Sequence, residues 1–151
     1  MSPQIDDEFC HQFANRFGFC VVVINYRKGP LYPFPEPIYD AEVIAKAAIA
    51  DPDLPLDHSK IVPGGFSAGG NIALAIAQLD GIRERVKVII PMYPVVDFSG
   101  RSKGEARPDK WGTPGRLKKI APLFNWAYIS TGVDRANPFM RPIYATRKDL
   151  S

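Results

Sequence analysis

The chain has 151 residues, a formal net charge of +3, and 46% hydrophobic against 23% charged residues. That length can bury one sizeable core, that apolar share excludes overall disorder, and so small a charge gives no footing for nucleic acid. Proline, with 15 residues, stands at about twice its usual share and forecasts stiff loops. Cys10 and Cys20 are too few for a disulfide framework or a zinc site. The longest apolar runs, such as Phe19–Ile24, are too short to span a bilayer. The polar, acidic start from Met1 to Glu8 is unlike a signal peptide, so the expected location is cytoplasmic.

Ile5, Phe9, Phe13 and Phe17 recur every four residues, with Asp6, Asp7 and Glu8 at the start and Gly18 at the end. This predicts a first helix. Phe19 to Tyr26 is β-branched and apolar on both faces, the pattern of a strand inside a covered parallel sheet. Arg27 to Pro37 holds four prolines and reads as a stiff loop. A second helix is predicted from about Ile38 to Ala50, with Ala41, Ile44, Ala45, Ala48 and Ile49 as its buried stripe. Lys60–Gly65 reads as a short strand. Ser67 to Leu79 reads as an alanine-rich helix, apolar all round and therefore buried, and Val86–Ile90 as a third strand. The alternation argues for an α/β fold with a parallel sheet flanked by helices.

Beyond Asp97 the character changes. Residues 98–119 carry seven Lys or Arg against Glu105 and Asp109. With little aromatic interleaving, a solvated surface excursion is preferred to a basic binding patch. Pro122 is expected to open a short helix to about Ser130, stopped by Gly132. Aromatic residues at helical spacing there (Phe124, Trp126, Tyr128) are read as packing before they are read as an acyl pocket.

The chemistry sits in Gly65-Phe66-Ser67-Ala68-Gly69, a G-x-S-x-G run between a strand and a helix. A serine hydroxyl is a poor nucleophile unless it is exposed, oriented and beside a base. A sharp strand-to-helix turn exposes it, and Gly65 and Gly69 remove the steric clash such a turn creates. The Ala68 N–H, at the start of the helix, is then placed to donate to an oxyanion. Gly64-Gly65 and Gly69-Gly70 could serve strand–helix packing alone, but the flanking elements favour the nucleophile reading. A phosphate-cradling loop is excluded by the missing lysine and the wrong glycine spacing.

Gly65-Phe66-Ser67-Ala68-Gly69-Gly70-Asn71 resembles the G-[DE]-S-A-G-G-N signature of the hormone-sensitive-lipase-like carboxylesterases of the α/β-hydrolase fold. Asn25-Tyr26-Arg27 through Pro30, Pro33-Phe34-Pro35 and Asp40 is similar to that family's stretch upstream of the signature. Tyr93-Pro94-Val95-Val96-Asp97, and Asn137-Pro138 to Pro142-Ile143, are similar to its segments downstream. Phe66 replaces the family's acidic residue, and Leu31 replaces a glutamate. The resemblance implies a partial α/β-hydrolase domain over 1–151, the middle of the family fold, with its first and last strands missing. Residues 98–143 would form a basic loop and helix insertion at the substrate side.

It further implies a serine-dependent carboxylic ester hydrolase acting on a small-molecule ester. Ser67 would be the nucleophile and Ala68 an oxyanion-hole donor, with Gly65, Gly69 and Gly70 shaping the elbow and no metal or organic cofactor. The family's H-G-G-G loop would precede residue 1, and its catalytic aspartate and histidine would follow residue 151. Within the chain, only His11 and His58 could act as base. His58 lies at the opposite end of the Lys60–Gly65 strand from Ser67, roughly 20 Å away. His11 is about 200° round its helix from the apolar stripe and faces solvent. Asp97 stands at the carboxyl edge of the sheet, where acids of such sites lie, but a loop-ordering role is preferred. Tyr26 and Arg27 are expected to hold the proline-rich loop. The rival reading is a non-catalytic truncated hydrolase fragment or remnant. In either case the 151 residues alone are expected to be inactive, and to self-associate through open sheet edges.

Overall fold

A computed structural model describes residues 7–98, 115–134 and 136–145, without the side chains of 115–121 and 144. Four helices are seen among them: α1 (Asp7–Phe17), α2 (Glu36–Ala50), α3 (Ala68–Ile76) and α4 (Gly115–Tyr128). Strands β1 (Gly64–Phe66) and β2 (Ile90–Met92) form a parallel pair, and 3-10 turns occupy Arg83–Arg85 and Pro142–Tyr144. The basic residues between 98 and 119 lie outside the described side chains.

The sheet begins at an isolated parallel bridge, Ile61 with Val86, and resumes as Gly64–Ile90, Gly65–Pro91 and Phe66–Met92. Between them, two residues of the first strand (62 and 63) lie opposite three of the second (87–89). Pro63 sits in that interval with no N–H to give a ladder, though its carbonyl accepts from Ile90 N at 2.9 Å. This displaces the regular pairing toward the carboxyl edge. The strands expected at Lys60–Gly65 and Val86–Ile90 are present as a bridge followed by one three-pair ladder that ends at Phe66 and Met92, next to Ser67.

The expected strand Phe19–Tyr26 is not one: no ladder includes it among the described residues. Its residues have strand propensity, but a strand exists only where a neighbour supplies the other half of the hydrogen bonds. Val21, Val22 and Val23 are 38%, 42% and 41% exposed, while Ile24 and Tyr26 rest against the core.

α1 ends where expected, with Gly18 at φ +68° and its N–H bonded to the Ala14 carbonyl at 2.9 Å. The phenylalanines predicted for one face do meet: Phe9–Phe13 and Phe13–Phe17 centroids lie 5.1 and 4.9 Å apart, yet no α1 residue is buried. α2 starts at Glu36, before Ile38, because Pro37 is compatible with a first helical turn. Its predicted stripe is half-buried apart from Ala41, which is buried with Ile38. α4 corrects the expectation for Pro122, which lies inside the helix and not at its start. A proline removes one i→i−4 bond, and the turns on both sides can still form.

α3 is buried nearly all round, at Gly70, Asn71, Ile72, Ala73, Ala75 and Ile76. It faces β1, β2 and α2 at once, which explains its lack of a polar face. The core joins Ile72, Ala75 and Ile76 of α3 to Phe34, Ile38, Ala41, Ile82, Phe98, Ile129 and Met140. Met140 and Ile82 are fully buried, so the last described segment is part of the core.

Candidate active site

β1 ends at Phe66 and α3 begins at Ala68, leaving Ser67 as the single residue of the turn. Its φ of +52° and ψ of −112° are sterically unfavourable for a serine. Three backbone bonds hold it there. Ser67 N donates to Met92 O at 2.9 Å, and the Ser67 carbonyl accepts from Asn71 N at 3.1 Å and Val95 N at 3.4 Å. Its side chain makes no capping bond to the helix. The N–H groups of the first turn of α3, Ala68 among them, have no partner within the helix and gather positive potential.

The glycines divide the steric work differently from the sequence expectation. A Cβ on Gly65 would lie 2.6 Å from the Gly69 carbonyl carbon and 2.8 Å from its oxygen. A Cβ on Gly70 would lie 2.9 Å from the Gly65 carbonyl oxygen and 3.1 Å from Pro94 Cβ. A Cβ on Gly69 would meet nothing within 4 Å. Gly65 and Gly70 are thus the positions where strand, helix and following loop touch backbone to backbone.

Asn71, only 1% exposed, joins three segments. Its Nδ2 donates to Val95 O at 2.7 Å and to Met140 O at 3.2 Å. Nearby, Arg141 Nε lies 2.9 Å from Asp97 Oδ1, with both side chains 12% exposed. Asp97, the candidate acid, therefore stands in a largely buried ion pair that ties the loop after β2 to the segment ending the described chain. The sequence carried no signal for the roles of Asn71 and Arg141 beyond their membership of the quoted motifs, since their partners are remote along the chain.

A second clasp lies at the end of the 19–26 segment. Arg27 Nε reaches both Asp40 carboxylate oxygens at 3.0 and 3.1 Å, its Nη2 reaches Asp40 Oδ1 at 2.8 Å and Glu36 Oε2 at 2.7 Å, and its backbone N donates to Asp40 Oδ2 at 2.9 Å. These bonds push the Asp40 carboxyl below its usual range, the Arg27 side-chain bond first and the Arg27 N–H next. The proline-rich loop is held down by this clasp and by Phe34 N donating to Tyr128 O at 2.8 Å. Tyr128 turns inward onto Phe34 and Phe98, whereas Phe124 and Trp126 are 60% and 67% exposed.

Neither histidine joins Ser67. His58 Nδ1 lies 2.7 Å from the Ile49 carbonyl at the end of α2, and His58 precedes Ile61 at the amino edge of the paired strands. His11 is on the exposed side of α1. The opposite face of α1 reaches the residue before Ser67, where Phe9 meets Phe66 edge-on at 5.1 Å. Among the described residues, no helix is long and apolar enough to cross a membrane.

A family model described as the alpha/beta hydrolase fold matches residues 1–151. An arylesterase of Saccharolobus solfataricus is 32% identical over 155 residues, covering 99% of this chain and 49% of its own length. Lipase 2 of Moraxella sp. (strain TA144) is 27% identical, covering 95% and 40%. Neutral cholesterol ester hydrolase 1 of Rattus norvegicus is 33% identical over 99 residues, 60% of this chain and 24% of the relative. Among solved structures, the hyperthermophilic esterase of Pyrobaculum calidifontis superposes with a TM-score of 0.80 at 29% identity, over 97% of this chain and 49% of its own. The chain spans about half the length of the relatives that it matches along most of its own length.

Proposed function

The chain belongs to the hormone-sensitive-lipase-like carboxylesterases of the α/β-hydrolase fold, and from that premise we propose that Ser67 is the nucleophile of a carboxylic ester hydrolase. The observation that carries the reading is the backbone of Ser67, at φ +52° between a parallel strand and a buried helix. Ser67 Oγ attacks the ester carbonyl of a small-molecule substrate while a histidine takes its proton. The Ala68 N–H, at the positive end of α3, contributes to holding the tetrahedral oxyanion, and water then releases the acyl group. The chemistry calls for no metal or organic cofactor. Asp97, committed to Arg141, orders the loop after β2 and is not the acid of this triad.

The base is neither His11 nor His58, so the 151 residues alone lack turnover. The positions of these two histidines are also what favours the rival reading of a non-catalytic remnant. Loss of the base alone costs about a millionfold in a serine protease. Added imidazole separates the two readings. With p-nitrophenyl acetate, Ser67 Oγ bonds to the acetyl carbon, p-nitrophenolate leaves and the hydroxyl proton passes to imidazole. Mass spectrometry should find acetyl on the Ser67 peptide with imidazole present, and not in Ser67→Ala. No Ser67 adduct would favour the remnant. Fast turnover without imidazole, abolished by Ser67→Ala, would reveal a base within the chain.

A further inference from the structure

Ser67 and Tyr93 are the two non-glycine residues of positive φ among the described residues, at +52° and +39°. They are also neighbours in register. The ladder runs Gly64–Ile90, Gly65–Pro91 and Phe66–Met92, so the next pair beyond it is Ser67 and Tyr93. Ser67 N donates to Met92 O and Val95 N donates to Ser67 O, so the peptide groups of Ser67 hold the chain on both sides of Tyr93. Pro94 completes the hold against Gly70.

A bulky residue is a poor choice for this conformation, which glycine or asparagine adopts with much less strain. Burial does not offset the cost either, because Tyr93 is 71% exposed. What the side chain does have is a position. Its ring centroid lies 5.7 Å from that of Phe66, the residue before Ser67, and the Phe66 ring meets Phe9 of α1 edge-on at 5.1 Å. Three rings thus form a row through Phe66, the residue before the serine. Strained residues kept against their own conformational preference concentrate at sites that use their side chains.

We propose that Tyr93 recognises the substrate at Ser67, its ring, continued by Phe66 and Phe9, receiving an aromatic group of the ester. The inference rests on the reading of Ser67 as the nucleophile. The ring makes the recognition, so the phenolic hydroxyl is dispensable for it. One aromatic pair contributes about a two- to tenfold preference.

The test compares two sulfonyl fluorides on the full chain in the presence of imidazole. In each, Ser67 Oγ bonds to sulfur, fluoride leaves and the hydroxyl proton passes to imidazole. The ratio of rate constants for phenylmethanesulfonyl over methanesulfonyl fluoride is read by mass spectrometry. Tyr93→Gly should lower the ratio by about two- to tenfold, and Tyr93→Phe should keep it. The melting temperature of Tyr93→Gly, at matched protein concentration, should be at least that of the parent chain, because the strain goes with the side chain. An unchanged ratio in Tyr93→Gly, or a melting temperature several degrees lower, would overturn the role of Tyr93 while leaving the nucleophile in place. Failure of both reagents to modify Ser67 in the parent chain would overturn the nucleophile reading and this one with it.

Discussion

Alanine at position 65 would place a Cβ 2.6 Å from the Gly69 carbonyl carbon, 2.8 Å from its oxygen and 3.1 Å from its Cα. All three atoms are main chain of the first turn of α3, so no side-chain rotation relieves the contact. Either β1 or α3 must move, and both also hold Ser67. Overpacking of a well-packed interior costs about 1–3 kcal/mol, and backbone on both sides puts this case in the upper half of that range. Gly69→Ala is the matched control. Its Cβ would meet nothing within 4 Å and its φ is not positive. Within the helix, alanine is favoured over glycine by about 1 kcal/mol. The assay is urea unfolding followed by circular dichroism at one protein concentration. With a slope of about 2 kcal/mol/M, a loss of about 2 kcal/mol lowers the midpoint by about 1 M for Gly65→Ala. Gly69→Ala should raise it by up to about 0.5 M. Equal losses in the two variants would refute the argument that the motif's glycines act through backbone contact at Gly65.

The remaining expectations can be checked with the same material. Gly29→Ala would drive a Cβ into the Ala127 carbonyl oxygen and should cost about 2–3 kcal/mol by urea unfolding; a neutral variant would mean the loop swings free of α4. Asp97→Ala takes the carboxylate away from the largely buried Arg141 guanidinium, a loss of about 1–3 kcal/mol, whereas an unchanged stability would mean that water replaces the carboxylate. Asp40 is held below its usual range in the folded chain. Its clasp therefore adds stability above the unfolded value of about pH 4, and that stability is lost as the pH falls through the lower, folded value. Asp40→Asn should flatten the acid limb of the stability profile, and an unaltered limb would assign it to other carboxylates. Light scattering should show association that rises with concentration and weakens in Val22→Lys, since Val21–Val23 are half-exposed and outside any ladder among the described residues; a concentration-independent monomer would remove that expectation.

Helix α3, the elbow before it and the α/β alternation were legible along the chain because each is written in neighbouring residues. Small residues on either side of a serine, at 65 and 69, followed by an apolar run without a polar face, have one economical arrangement, although the backbone contact of the second glycine falls at Gly70. The clasp at Arg27 was legible only through resemblance, and its partner Asp40 became a contact only once α2 lay beside the loop. Pro122 lies inside α4 and not at its start because a local preference for the first turn does not forbid an interior site.

The residues of Phe19–Tyr26 show the division most clearly. By itself the sequence determined what that segment would choose given a partner: an extended backbone with valines on both faces. It also determined that Ser67 would stand on a turn between strand and helix, since strand, glycines and helix are all local. Only the tertiary structure decided which segments are strands, that Asn71 would bind Val95 and Met140, that Asp97 would face Arg141, and that Tyr93 would lie in register beside Ser67. A ladder, an ion pair and a cross-strand neighbour each require two remote segments. Their pairing is set by which apolar faces must be buried together, a property of the whole core and not of any window along the chain.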